Sequence, residues 1–423
     1  MKTNIIVMLF CSVQVVASAQ VAPKPDLPAS AAKAFKPIPE DRSKCVNKVP
    51  FAKWLEAFKS EALTQGISEE TLRLANDQFQ VDPKVVEKDR AQFKSKSVFG
   101  QTFLTFSDRM ATDGRRDKAI QLAKKHAKTF SEIEAKYGVP AAPLLSFWAL
   151  ESDFGASTGT FQILRSAVTL AYDCRRHEMF REQAFSALKL VEKKHIKPDA
   201  VGNWAGELGG LQFMAKDYLE SGVDHDGDGR IDIVGSIPDA LATAGQFLKS
   251  KGWKKGQAWM REVIVPEVMR WEEATMEIKK PVSAWAALGV KPAQGEFVNE
   301  LNLPASLLLP MGRLGPAFLA YPNLDALLGW NESLVYSTTA AFLATRIVGA
   351  KPMQRGSANL KTLALGEVME LQKLLKSNGY EPGEPDGKIG TGTRSAVRAA
   401  QLKLGLPADG YPSEELLLKM RNK

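Results

Sequence analysis

Residues 138–155 read Gly138-Val-Pro-Ala-Ala-Pro-Leu-Leu-Ser-Phe-Trp-Ala-Leu-Glu151-Ser-Asp-Phe-Gly155, and both the architecture and the chemistry turn on this stretch. Leu144 and Trp148 fall on one helix face, and Glu151 closes the same apolar stripe. Gly155 suits the end of that helix. A carboxyl set among apolar side chains loses hydration of its charged form, so its pKa should rise. That is the requirement for a general acid near neutral pH. The same letters also fit a Glu at a frayed, solvated helix end. Asp153 is the competing acid, and its place near the helix end points it to solvent.

A second informative segment is Asn203-Trp-Ala-Gly-Glu-Leu-Gly-Gly-Leu-Gln212-Phe-Met214. Its glycines let backbone approach a ligand while the Trp204 face and the Gln212 amide stay available. Taken alone it could be any glycine-rich turn between helices. Around these segments the texture is helical. Phe51, Trp54, Leu55 and Phe58 recur at helical spacing, residues 121–137 form another long helical candidate, and periodicity returns at 337–348. Between 254 and 310 the short apolar runs Val263-Ile-Val265, Met276-Glu-Ile278 and Leu307-Leu-Leu309, with scattered Pro and Gly, predict a small strand-bearing subdomain.

Beyond it, residues 349–357 are polar and broken by Pro352 and Gly356. They read as a tether with few contacts to either side. A compact unit follows. Leu365, Val368, Leu371 and Leu375 form one helical stripe, residues 378–392 a turn-rich stretch, and Ala396, Val397, Ala400 and Leu404 a second stripe, with a last short helix from Ser413. About 60 residues can just support such a three-helix core.

The chain is long enough for two or three domains, at 423 residues, and its 44% hydrophobic and 25% charged content excludes global disorder. The formal charge of +8 suits an anionic partner without choosing one, but the basic residues are scattered, which disfavours nucleic acid. No apolar run long enough to span a bilayer occurs after the first twenty positions, so a polytopic membrane protein is excluded and no transmembrane anchor is expected. The start is different: Lys2, an apolar block from Ile5 to Val16, and Ala17-Ser-Ala19 make a secretory signal peptide over residues 1–19. Export to the periplasm follows, and it separates the chain from nucleic acid. Residues 20–44 carry Pro23, Pro25, Pro28, Pro37 and Pro39 and read as a semi-rigid tether. With Cys11 removed, Cys45 and Cys174 remain, and an even pair in an oxidising compartment suits a disulfide, though two buried free thiols fit as well.

Asp224-His-Asp226-Gly-Asp228-Gly-Arg230-Ile-Asp232 has the front half of a calcium loop: alternate carboxylates, a glycine at the sharp turn and a backbone carbonyl at Arg230. The closing bidentate Glu is absent, Gly235 standing in its place, and Asp239 is the nearest substitute. A structural calcium ion held by Asp224, Asp226, Asp228, Arg230 and Asp239 is one reading, and an acidic turn without metal is the other. No organic cofactor is expected.

Four motifs in order resemble the lytic murein transglycosylase B family. They are Glu151-Ser-Asp-Phe-Gly155, Trp204-Ala-Gly-x-x-Gly-x-x-Gln212-Phe-Met, the Asp224 loop, and Gly315-Pro-Ala-Phe-Leu-x-Tyr321-Pro-Asn-Leu-x-Ala-x-Leu-x-Trp330-Asn331-x-Ser333-x-x-Tyr336. The resemblance spans about residues 45–348. It implies a mainly α architecture: a lysozyme-like helical catalytic core with a small strand-containing subdomain. It makes Glu151 the catalytic acid and Gln212 and Asn331 glycan contacts, with Trp204, Ser333, Tyr336 and the paired Arg175-Arg176 as further substrate-binding candidates. It also implies an atypical calcium loop. Asn203 stands where Ser is usual, Leu208 where Met is usual, and Ala215 where Pro is usual.

Val368-x-x-Leu-Gln372, Asp386-Gly387-x-x-Gly390-x-x-Thr393, Ala396-Val397 and Gln401-x-x-x-Gly405-Leu406 resemble the three-helix peptidoglycan-binding domain. The expected order is therefore signal peptide 1–19, tether 20–44, catalytic domain 45–349, linker 350–360 and wall-binding module 361–423.

The resemblance implies cleavage of the β-1,4 bond from N-acetylmuramic acid to N-acetylglucosamine, ending in a 1,6-anhydromuramoyl product with one Glu serving as acid and then base. Glycosidases generally use two carboxylates, and on sequence no second acid shares the apolar setting of Glu151. A hydrolytic muramidase with Asp153 or Asp173 as base, and a non-enzymatic wall-binding protein, are the alternatives. Peptidoglycan strands are the partner in every case.

Overall fold

The structure, a computed structural model, describes residues 45–92, 101–357 and 359–422. The signal peptide and the proline-rich tether lie outside the described residues. No helix among the described residues is long and apolar enough to cross a membrane.

The Ala141–Ser152 helix sits at the centre of the helical core. Ten of its twelve residues are buried. Leu144, Leu145 and Phe147 are wholly inaccessible. It packs between the helices Asp113–Lys125 and Leu334–Ile347, the latter capped by the Ser333 side chain, which accepts from the Tyr336 amide. Asp153 and Phe154 take the left-handed conformation at the helix end before Gly155 does the same, so the chain leaves the helix sharply just past Glu151. The helices Ile163–Tyr172 and His177–Glu192 form a tight pair, and a disulfide joins Cys174, in their connecting turn, to Cys45. Phe51, Trp54 and Phe58 share the Phe51–Thr64 helix, where Phe58 stacks on Phe185 at 4.6 Å.

The long helix expected at 121–137 is two helices, Asp113–Lys125 and Ala127–Tyr137, broken at His126. The second turns away to bury Phe130, Ile133 and Tyr137, whereas the first buries only Ala119. Tertiary burial overrode a continuous local pattern.

Two short strands, β1 (Phe161–Gln162) and β2 (Val201–Gly202), pair antiparallel beside the core. A five-stranded antiparallel sheet follows, from β3 (Met260–Ile264), β4 (Lys280–Pro281), β5 (Lys291–Pro292), β6 (Pro304–Leu308) and β7 (Ala317–Ala320), in the order β4-β6-β7-β3-β5. Its separate core gathers Trp271, Val282, Trp285, Leu307 and Tyr321, with the Trp285 indole donating to Ala305 O at 2.7 Å. Residues 276–278 are a bend and not the expected strand. The Met276 carbonyl turns to accept from the Ser306 hydroxyl. β7 lay hidden in the Gly315 motif because all four of its residues are buried, which removes the alternation that marks a half-exposed strand.

The C-terminal unit has helices Leu365–Ser377, Thr391–Lys403 and Glu414–Arg421 around Leu371, Leu375, Val397 and Leu416. Two Asp-Gly turns are clasped in the same way: Gln372 accepts from the Gly387 amide and Gln401 from the Gly410 amide. Both glycines have positive φ, which these turns require.

This unit is docked, contrary to the loose tether expected of the linker. The Arg394 guanidinium donates to Leu309 O and Pro310 O, Arg398 donates to Ala274 O, and Asp409 accepts from the Arg313 amide. Tyr411 joins the main hydrophobic core. The linker itself is strapped down: the Gln354 amide donates to Glu262, Arg355 meets Asp108 through two bonds of 2.8 Å, and the Ser357 amide donates to Leu314 O. A polar, Pro- and Gly-broken composition suits either a tether or a strap. The partners that make it a strap are distant in sequence.

Candidate active site

Glu151 lies on the last turn of the central helix. Its Oε1 accepts from the Tyr336 hydroxyl at 2.6 Å and from the Trp330 indole at 3.0 Å. Trp330 is itself held, stacked on Phe147 at 4.3 Å and meeting Phe247 edge-on at 5.4 Å. The carboxyl keeps only a narrow opening, and burial pushes its pKa up to about 7. The charge of nearby Glu207 adds to that rise, and the bonds from Tyr336 and Trp330 oppose it. The solvated helix-end reading of Glu151 therefore fails.

A narrow cavity of about 90 Å³ opens beside this carboxyl, lined among others by Glu207, Gln212, Asp217, Phe247 and Asn331. The glycine segment supplies one wall. Leu208 and Phe213 exchange backbone hydrogen bonds of 2.8 and 3.0 Å, closing a tight loop. At Gly209, with φ +69°, a Cβ would sit 2.5 Å from Ile233 O, so no side chain fits. Gln212 adopts φ 50° and donates to Gly209 O at 2.8 Å. The Ser152 hydroxyl donates to Gly210 O at 2.5 Å, pinning this loop to the residue after Glu151. Asn331 accepts from the Ser333 amide at 2.9 Å, which fixes the opposite wall.

The remaining sequence candidates divide. Tyr336 packs half-buried against Glu151 and donates to its carboxyl, where a sugar contact was expected. Ser333 serves as a helix cap. Trp204 is half-buried against the core and does not line the cavity. Arg175 and Arg176 are also absent from its lining. Both guanidinium groups meet Asp89, which is 1% exposed. A carboxylate buried that deeply draws the nearest cations inward. Asp153 pairs with Arg115 at 3.3 Å and Asp173 with Arg90 at 2.7 Å, so neither candidate base faces the cavity.

The chain matches the transglycosylase SLT domain family over residues 50–345 and the peptidoglycan binding domain family over residues 365–420. This chain belongs to the SLT-domain lytic transglycosylases. SltB3 from Pseudomonas aeruginosa, solved in complex with NAG-anhNAM-pentapeptide, is 36% identical with TM-score 0.80, covering 88% of this chain and 99% of that one. The membrane-bound lytic murein transglycosylase B of Escherichia coli K12 is 29% identical over 206 residues, 48% of this chain. That match spans 55% of the relative's length. The Escherichia coli lytic transglycosylase SLT35, solved with calcium, shares the fold at 22% identity and TM-score 0.58, covering 71% of this chain and 93% of that one.

Within this transglycosylase fold, sequence reasoning missed Glu207, Asp217 and Trp330 as site residues. A glycine-rich loop has no periodicity to tell which way Glu207 points. One signal was available: Asn203 in place of the usual Ser. Its amide donates to the Glu207 carboxylate, while its Oδ1 accepts from the Ala205 and Glu207 amides.

The acidic loop also departs from expectation. Carboxylate oxygens of Asp224, Asp226 and Asp239 lie within 4.8 Å of one another. Asp228 lies outside that group and accepts from the Arg230 amide at 2.8 Å. Asp239, 1% exposed, accepts from the amides of His225, Asp226 and Asp232 and so gathers the loop around one carboxylate. Three convergent hard oxygens fit a calcium ion.

Proposed function

We propose that the protein is an exported peptidoglycan lytic transglycosylase. Glu151 donates its proton to the glycosidic oxygen as the bond from muramic acid C1 breaks, freeing the N-acetylglucosamine 4-hydroxyl. The substrate's N-acetyl group stabilises the developing cation. The muramic acid C6 oxygen then bonds to C1, and the Glu151 carboxylate takes the C6 hydroxyl proton. No water is consumed, the muramoyl end becomes a 1,6-anhydro ring, and Glu151 is restored. Gln212 and Asn331 orient the glycan from the two cavity walls.

The observation that carries this reading is a carboxyl with pKa about 7, fixed by Tyr336 and Trp330 at a cavity. Such a group holds its proton near neutral pH and can both give and take it. The relative SltB3 was solved with an anhydro-muramoyl ligand, which supports the same product here. The C-terminal module binds the wall and brings the cleft to its polymer.

Digestion of purified sacculi with mass analysis of the products tests the reading. Terminal muramic acid one water lighter than the hydrolysed form is the expected result. Products carrying the extra water would establish a muramidase instead.

Asp224, Asp226 and Asp239 would hold calcium as a structural ion, far from any catalytic step in role. A ligand bound only by the native state stabilises it, by about 2.7 kcal/mol at a concentration a hundredfold above Kd. Calcium is therefore expected to raise the thermal midpoint, with magnesium doing less because it dehydrates reluctantly. Equal midpoints in calcium and in chelator would reduce the loop to an acidic turn.

A further inference from the structure

The cavity beside Glu151 contains a second carboxyl, Glu207, that neither the resemblance nor the proposed reaction employs. Its place is built. β1 pairs with β2 through Phe161 opposite Gly202, and β2 delivers Asn203. Asn203 then binds three points of the following loop, the Ala205 amide, the Glu207 amide and the Glu207 carboxylate. Gly206, with φ +83°, packs 3.4 Å from Ile163 O at its missing Cβ, which sets the loop's course. The Glu207 carboxylate thus has one held orientation at the rim of the cavity that Glu151 shares.

We propose that Glu207 is a positioning residue for Glu151, a second carboxylate at the same cavity whose charge, fixed by Asn203, keeps the proton on the acid. The proposal rests on Glu151 being the acid of the reaction.

Two carboxyls facing one small cavity do not ionise independently, and the one better stabilised as an anion loses its proton first. Glu207 has that advantage. Asn203 donates to it, and the Arg176 guanidinium at the start of the His177–Glu192 helix favours its charge. Asp217, from the Ala215–Ser221 helix, works against it. Burial is the largest influence on Glu207 and, with the Asn203, Arg176 and Asp217 effects included, pushes it up to about 7. On the other side Glu151 faces the neutral Tyr336 hydroxyl and Trp330 indole. Arg115 is the cation near Tyr336, and it pairs with Asp153. The negative charge of Glu207 therefore falls on Glu151 with little nearby to cancel it. Arg176 gains a purpose in this arrangement: it binds Asp89 and sets the charge of Glu207, with no sugar contact required.

The acid must be protonated in the free enzyme, so kcat/KM should fall as pH rises through about 7. In Glu207→Gln the like charge is gone, Glu151 ionises more readily, and this alkaline limb should move down by roughly one pH unit. Above the limb, rates then drop about tenfold relative to wild type, while on the acid side they stay within a few-fold.

The experiment is the pH dependence of kcat/KM for the full-length protein on short soluble peptidoglycan glycans. Glu207→Asp should keep the wild-type limb. Asn203→Ala removes the N–H that donates to the Glu207 carboxylate, so it should move the limb in the same direction as Glu207→Gln. This second variant keeps the test alive if Glu207→Gln does not fold. An unmoved limb in both variants, or an equal loss at every pH, would overturn the proposal. Activity retained by Glu151→Gln would sink the acid assignment instead, a separate outcome with its own signature.

Discussion

Glu151→Gln is expected to abolish glycan cleavage while leaving the fold intact. The amide preserves the shape of the side chain and can still accept from Tyr336 and Trp330 through its oxygen. What it lacks is a transferable proton. Loss of general acid–base help typically costs about 10² to 10⁴ in rate, and in the proposed mechanism one carboxyl serves both proton transfers, so the upper part of that range is the expectation. Release of soluble muropeptides from sacculi, with circular dichroism as the folding control, measures it. Activity within a few-fold of wild type would assign the acid elsewhere.

The second large effect is on stability. Asp89 is 1% exposed and faces Arg175 and Arg176. Burial alone would raise its pKa, but the hydrogen bond from Arg175 and the charges of both arginines outweigh it and hold the carboxyl below its usual range. Asp89→Ala leaves guanidinium charge in a partly buried site without that partner. Breaking a buried ionic group in this way costs about 3–5 kcal/mol. A urea midpoint shifted down by that free energy is the expected outcome. Because the native pKa is depressed, the contribution is fully present above the unfolded value near 3.9 and fades as acid protonates the native carboxyl. An unchanged midpoint with weakened glycan binding would return the two arginines to the role of sugar contacts.

The helical core, the sheet-bearing subdomain and the terminal three-helix unit were legible because burial leaves a pattern. Leu144, Trp148 and Glu151 stand in one stripe, and Val368, Leu371 and Leu375 in another. Glu151 stood out at the end of an apolar stripe, but the same letters fitted a solvated helix end, and it was the family resemblance that marked it as the acid. Its holders could not be derived from spacing. Tyr336 lies 185 residues away and Trp330 179, and their meeting with Glu151 depends on how the Leu334–Ile347 helix packs on the central one. The partner of Arg175 and Arg176 was hidden for a related reason. A pair of adjacent arginines says nothing about Asp89, which lies 86 residues upstream of Arg175. The glycine loop concealed Glu207 because each of its turns is set by backbone contacts such as Gly209 against Ile233 O, which leave no hydrophobic period to read.

The docking of the C-terminal unit changes what a second binding site does for an enzyme. A module on a flexible linker samples a cloud of positions, and it aids the cleft only by raising local concentration. Here Arg394 is clamped to Leu309 O and Pro310 O, and Arg355 pins the linker to Asp108. The spacing between module and cavity is then a length, with little spread. If the module grips the wall as proposed, the enzyme carries a ruler: the point held and the point cut lie a set distance apart along the polymer. Affinity is converted into register.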